Sequence, residues 1–408
     1  MNRRTLIIGL ATALIVASLA IGVWLVFRNS SSSGGTSRTG EGQSTSPFPF
    51  GDLIDRFAGR DETDIEKLDI VTNNTISRII EKPVAGYVLL QRGNEDVLRY
   101  IEQQTGNVYE YTQTGGIARL TNTTLPRIQR AQWMPSGTGL LLEYERPDNK
   151  STVLVRARLV KNTNTETSPA NKSTDFALDG EILPASVIDF TVSTHEDRYA
   201  LLRETEGGVS LSVHDFGKDS GNIIFTHPHK NWLISWDTEE SITISSKPSA
   251  RYAGISYLVD VRDGSIERIG SEKGIMTTIS ENGSFVASTI AVNGSSEIRL
   301  TERGGNLDNG VIKLTTNIDK CSFNSGSLYC AVPKNGSIGD YPESWLRGLI
   351  LTDDHLYRVD LSALTFDRIY DTTTDPLFVD MYNLSVGTHT RNVYFRDKYD
   401  NTLWVLER

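Results

Sequence analysis

The sequence predicts an all-β fold: a seven-bladed β-propeller, with six or eight blades as alternatives, behind one N-terminal transmembrane helix. Three observations lead there. A strand–turn–strand unit recurs down the chain about every 40–60 residues, the spacing of four-stranded propeller blades. A second hairpin stands behind six of these units. After residue 60 no stretch carries the long 3.6-residue periodicity of a helix, so short strands alone must build the core.

Residues 1–4 hold Arg3 and Arg4 and form a short N-terminus. Residues 5–27 carry no charge, and ~20 apolar residues cross a bilayer core as a helix. A cleaved signal peptide is the rival reading, with "ASLA" (17–20) as its processing site. The apolar run continues to Phe27, whereas such regions span ~7–15 residues, which favours an uncleaved anchor. Arg3 and Arg4 place the N-terminus in the cytoplasm and the rest of the chain outside it. Residues 28–47 are rich in Gly, Ser and Thr and read as a flexible tether. Residues 48–66 open on the apolar "FPFGDLIDRF", read as a docking segment because so many exposed phenylalanines and leucines would be a liability.

The propeller then occupies 67–408. Seven units carry the hairpin pattern of apolar alternation around a Gly-, Pro-, Asn- or Ser-rich turn: 76–92, 128–145, 187–204, 230–246, 274–289, 318–333 and 378–397. The last unit ends with "TLWVLER" (402–408), a third strand, which leaves one edge open. "KLDIVTN" (67–73) alternates without a blade of its own and is expected to supply the missing outer strand. Both termini would then close the ring.

Two of these units carry a resemblance. "AQWMPSGTGLLLEYE" (131–145) and "TISENGSFVAST" (278–289) resemble the core of TolB-type, WD-repeat-like propellers, where a W-S-P-D-G-like turn precedes a strand. The resemblance covers about 67–408 and implies the architecture. Ser136 stands where that family usually has Asp. "LYCAVPKNGSIGDYPESWLRGLI" (328–350) resembles a segment of uncharacterised membrane-anchored propellers from small-genome bacteria, which implies a bacterial setting and nothing catalytic.

The chain has two cysteines, both in "CSFNSGSLYC". A hairpin with Ser325-Gly326 at its tip sets Cys321 opposite Cys330 as a non-hydrogen-bonded pair, with Cα atoms ~4.5 Å apart. That is within reach of a disulfide, and an extracytoplasmic compartment permits one. The alternative is two buried free thiols.

The formal net charge is −10, and residues 1–28 are basic, so the remainder is more acidic still. Such a surface repels phosphate backbones and argues against nucleic acid as a partner. Of six histidines, only His227 and His229 lie together, without a third ligand for zinc. No hydrolase, zincin, nucleotide or calcium-loop motif is present, and no cofactor is implied. Asp353-Asp354 read as solvated turn residues, since adjacent acids on a strand point to opposite faces.

One long connection, 333–348, offers Asp340, Tyr341, Trp345 and Arg347, and Trp, Tyr and Arg are favoured at protein interfaces. These four are the candidate binding residues; the competing reading has Tyr341 and Trp345 folding back over the blade edge. The functional expectation is a membrane-anchored, non-catalytic module that holds an envelope protein or wall polymer. The alternative is an extracytoplasmic hydrolase acting on glycan or peptide. Two or three carboxylates and an arginine converging in the central channel would favour that alternative.

Overall fold

In the computed structural model the described residues are 74–408, without 123, 163–174, 305–311, 313, 337–338 and 375–376. The expected anchor (5–27), tether (28–47), docking segment (48–66) and closing strand (67–73) lie outside them. No helix among the described residues is long and apolar enough to cross a membrane.

Seven antiparallel sheets follow one another along the chain. Strand β1 (Ile76–Ile80) comes first and belongs to the last sheet. Blade one is β2 (Val84–Arg92), β3 (Glu95–Glu102), β4 (Val108–Thr112) and β5 (Gly116–Arg119). Blade two is β6 (Ile128–Trp133), β7 (Gly139–Glu145), β8 (Thr152–Lys161) and β9 (Phe176–Ile182). Blade three is β10 (Val187–Val192), β11 (Arg198–Thr205), β12 (Gly208–Asp215) and β13 (Gly221–His227). Blade four is β14 (Trp232–Ser235), β15 (Ser241–Ser246), β16 (Ser256–Asp260) and β17 (Ile266–Gly270). Blade five pairs β18 (Met276–Ile279), β19 (Phe285–Val292) and β20 (Ser295–Glu302), and an isolated bridge from Ile298 to Leu314 marks its outer edge. Blade six is β21 (Cys321–Asn324), β22 (Ser327–Pro333), β23 (Asp354–Asp360) and β24 (Thr365–Tyr370). Blade seven is β25 (Met381–Val386), β26 (Val393–Asp397) and β27 (Leu403–Leu406), completed by β1. The fold is therefore the seven-bladed propeller that the repeat predicts.

The closing strand is not the expected one. Ile76 pairs with Leu406, Ser77 with Val405 and Arg78 with Trp404, so residues 76–80 complete blade seven rather than opening blade one. The short Glu81-Lys82-Pro83 link then carries the chain from that outer edge to the inner strand β2 instead of reversing it into a hairpin. Pro83 has no N–H to offer a ladder, and its carbonyl accepts from Gln103 N–H at 2.8 Å. Burial of Ile76 and Ile80 against the C-terminal strand decides the pairing.

The recurring tryptophan and turn also find their reason. Trp133 packs between blades one and two, and its indole N–H donates to the Gly86 carbonyl at 3.2 Å. Gly86 permits that approach, since a Cβ there would sit 2.0 Å from the Ala131 oxygen. In the Pro-Ser-Gly-Thr turn Gly137 takes φ 69°. Asp197 of blade three accepts from the Ser136 N–H at 3.1 Å, so a neighbouring blade supplies a carboxylate to a turn that has serine in place of aspartate.

Candidate functional site

The inner strands start at the face that carries the loops between second and third strands, and end at the face that carries the tight first turns. Side chains on a strand alternate, so every second residue of an inner strand looks into the channel. In blades two to seven this gives Arg130 and Gln132, Asp189 and Thr191, Ser235 and Asp237, Thr278, Asp319 and Asn383. They line one cavity of about 410 Å³.

Three carboxylates and an arginine meet there. Asp189 Oδ1 accepts from Nη1 and Nη2 of Arg130 at 3.0 Å, and its Oδ2 accepts from the Ile234 N–H at 3.0 Å. Arg130 also pairs with Glu143 at 3.1 Å and lies 4.0 Å from the Phe190 ring centroid, so its charge is fully engaged. Asp237 accepts from the hydroxyls of Ser235 and Thr278, both at 2.8 Å. Enclosure by protein nevertheless raises its pKa. Asp319 sits on a single 3-10 turn (Ile318–Lys320) that Asn317 caps by accepting its N–H at 2.9 Å. Its carboxylate is open to the channel and makes no hydrogen bond among the described residues. The side chain is exposed to the channel, but the surrounding channel walls limit the water around it and push its pKa up to about 6, with Lys398 opposing the rise and Asp189 and Asp237 adding to it.

The channel narrows toward the first-turn face into a second cavity of about 280 Å³, which shares Asp237, Thr278 and Cys321 with the first. His195 stands at that mouth, with Nδ1 2.9 Å from Thr194 Oγ1 and Nε2 3.6 Å from Glu281. A larger depression of about 510 Å³ lies between blades five and six, around Phe285, Phe323 and Leu361. It is bigger, but charged groups do not converge there as they do in the channel. No cluster of metal-ligating side chains exists among the described residues.

Asp237 and Asp319 make stability depend on pH in a stated direction. An aspartate whose pKa is raised by folding destabilises the native state when ionised, and that penalty is relieved as pH falls from the folded pKa toward the ordinary value of ~3.9. Asp260, held down to about 2 by the Arg262 side chain, contributes stability that disappears only in strong acid. Burial also holds the His214 imidazole down to about 4, which costs stability as pH falls below its ordinary value and opposes the aspartates. The aspartate contribution is therefore read as a difference: the thermal midpoint of the parent is expected to gain on that of Asp319→Asn as pH falls from 7.5 to 5, and a difference that stays constant across that range contradicts it.

The sequence-predicted residues lie elsewhere. Asp340 and Arg347 are exposed, and Asp340 pairs with Arg251 at 2.7 Å. Tyr341 and Trp345 are 0% and 1% exposed, so their expected role as exposed contacts gives way. Tyr341 Oη accepts from Asn317 Nδ2 at 2.7 Å, and Trp345, on the short helix α1 (Glu343–Leu346), donates from Nε1 to both oxygens of Asp380 at 3.0 Å. The connection folds inward because both rings carry polar tips with buried partners. Cys321 and Cys330 face one another in the register 321↔330, 322↔329, 323↔328, 324↔327, with Cα atoms 4.1 Å and sulfurs 2.04 Å apart.

Behind the channel wall lies a group that sequence reasoning missed. Asp319 turns into the channel, while Lys320 turns into the protein and is 0% exposed, as are Asp354 and Asp380. Asp354 is thus no solvated turn residue: it opens β23 beneath the folded-back connection. Lys320 Nζ donates to Thr352 Oγ1 at 2.8 Å and lies 2.5 Å from both Asp354 Oδ2 and Asp380 Oδ1. Trp345 and Tyr341 roof this cluster.

No family model matches the sequence, and no curated protein matches it significantly. Solved structures do. The chain is similar to oligogalacturonate lyase from Vibrio parahaemolyticus, with TM-score 0.51 and 10% identity over 83% of this chain and 95% of that one. It is also similar to TolB from Acinetobacter baumannii (TM-score 0.40, 10% identity, 82% and 65% covered). A third is the Cps50 (Swd1) propeller domain of Myceliophteria thermophila (0.47, 11%, 82% and 100%). The propeller architecture implied by the resemblance to TolB-type, WD-repeat-like propellers is the one observed in the seven sheets. The expectation that the chain is not an enzyme does not stand. A propeller of the same architecture is a lyase, and the channel gathers three carboxylates and an arginine, the pattern set out above as favouring catalysis.

Proposed function

We propose that the protein is a membrane-anchored, extracytoplasmic propeller that takes a neutral or amine-bearing glycan or peptide segment into its channel and acts on it by proton transfer. The convergence of Asp189, Asp237 and Asp319 on one cavity supports this. Asp189, locked by Arg130 and a backbone N–H, is a fixed acceptor for the ligand's hydroxyl or ammonium groups. Asp319, without a hydrogen bond among the described residues and with its pKa pushed up to about 6, exchanges a proton near neutral pH, as a general acid must. Arg130 is already shared by two carboxylates, so the channel is anionic on balance and disfavours a polyuronate.

The test uses the full chain in detergent against neutral glycans, amino-sugar oligomers and peptides. Asp319→Asn is expected to lower turnover by about 10²–10⁴-fold while the fold is kept. Undiminished turnover in that variant contradicts the reading.

Exposed Leu349 (64%) and Leu351 (39%), beside Arg347, favour a second reading, in which the loop face holds a partner protein of the envelope. Leu349→Asp is then expected to lose a partner that the parent chain retains from envelope extract. Equal retention removes this patch as the contact.

A further inference from the structure

The cluster around Lys320 has the composition and spacing of a reacting centre rather than of a simple ion pair. One buried amine touches two buried carboxyls. The next cation, half-buried Lys398, stands over the Trp345 ring at 4.0 Å and makes no ion pair with either among the described residues. With the amine and both carboxyls ionised, two interior carboxylates would share one contacting ammonium, where charge is costly. The two carboxyls are also held differently. Asp380 accepts from Trp345 Nε1 on both oxygens and from the Thr352 N–H at 3.0 Å. Asp354 accepts from the Met381 N–H at 2.8 Å on Oδ2, while its Oδ1 is buried without a hydrogen-bond partner. Asp380 is therefore the stabilised anion and Asp354 the carboxyl suited to be the neutral acid.

We propose that Lys320 Nζ and the Asp354 carboxyl carbon become joined in the folded protein by an intramolecular amide bond, with Asp380 transferring the protons. Lys320 Nζ lies 2.5 Å from Asp354 Oδ2, which sets the carboxyl carbon one bond beyond, at the about 3–3.5 Å of a near-attack geometry. Asp380, 2.5 Å from the same nitrogen, takes a proton from the ammonium and frees the lone pair. The amine attacks the carbon of protonated Asp354. Negative charge gathers on Oδ2, where the Met381 N–H receives it. Asp380 gives its proton to the departing Oδ1 hydroxyl and recovers a second from the nitrogen, and the C–Oδ1 bond breaks to release water. The N–C bond forms as the C–O bond breaks. One water leaves, no oxidant or cofactor is consumed, and Asp380 ends protonated, so the cluster is left neutral. The burial of Trp345 and Tyr341 then has a chemical purpose: they exclude the water that would hydrate the amine. The bond ties the turn before β21 to the start of β23.

The full chain, purified, reduced and digested with trypsin, tests this by peptide mass spectrometry. The expected result is no cleavage after Lys320 and a branched peptide joining Lys320 to Asp354, lighter by one water than the sum of its two arms. Asp380→Asn is expected to yield the unbranched peptides. A wild-type digest with a linear peptide ending at Lys320 overturns the proposal without reference to any variant. A branch at Asp380 in place of Asp354 overturns the assignment of the acyl group. A branched Asp380→Asn digest overturns the role given to Asp380.

Discussion

Replacing Lys320 by methionine is expected to destabilise the propeller by about 3–5 kcal/mol, the cost of removing one partner from a buried charge cluster. Methionine keeps the unbranched stem and fills most of the space beneath Trp345, so the loss is mainly polar rather than a cavity. Asp354 and Asp380 are both fully buried and lose the one amine that faces them. Asp380 keeps the Trp345 indole and the Thr352 N–H, whereas Asp354 keeps only the Met381 N–H. The direction is the same whether the amine stands as an ion or as an amide, because the variant loses the contacts of Lys320 with both carboxyls in the first case and the cross-link in the second. Denaturant unfolding with an unchanged slope and a lowered midpoint is the measurement. A variant within about 1 kcal/mol of the parent shows that the three groups are not coupled.

Much of this fold was legible because its strongest signals are local. The Ser325-Gly326 tip takes positive φ at both residues, 46° and 77°, as a two-residue hairpin turn of the twisted kind demands. Counting outward from it sets residue 321 opposite 330. The same logic located six of the seven inner hairpins. It failed at the first, because residues 67–73 and 76–80 alternate alike and only a pairing across more than 300 positions, Ile76 with Leu406, tells the closing strand from an opening one.

The site was less legible for a related reason. Arg130-x-Gln132, Asp189-x-Thr191 and Ser235-x-Asp237 put polar side chains at alternate positions of otherwise apolar strands. That signal was present, but it does not reveal which strand of each blade is innermost, nor that three aspartates far apart in sequence share one cavity. Lys320 was hidden by its neighbour. Asp319-Lys320 looks like a solvated charge pair until a 3-10 turn sends the two side chains in opposite directions. Tyr341 and Trp345 carried a real signal that was read in the wrong direction. Their polar tips were meant for buried partners of this chain, not for the surface of another.

Deleting residues 403–408 is expected to have the largest effect: loss of cooperative folding. Strand β27 lies between β26 and β1, so its removal opens an edge on blade seven and leaves β1 with no partner. Leu403, Trp404, Val405 and Leu406 are all nearly inaccessible to solvent. At roughly 1.5–3 kcal/mol for each buried apolar side chain, their loss amounts to about 6–12 kcal/mol, comparable to the about 5–15 kcal/mol that holds a whole domain. A graded comparison guards against a merely local effect. Ile76→Ser with Ile80→Ser keeps the β1 ladder and removes only its buried face, so it should melt cooperatively at a lower temperature than the parent. The truncated chain should show no cooperative transition and should be cut by protease along its length. If it instead melts within a few degrees of the parent, the ring does not depend on pairing its two ends, and β1 is an accessory strand.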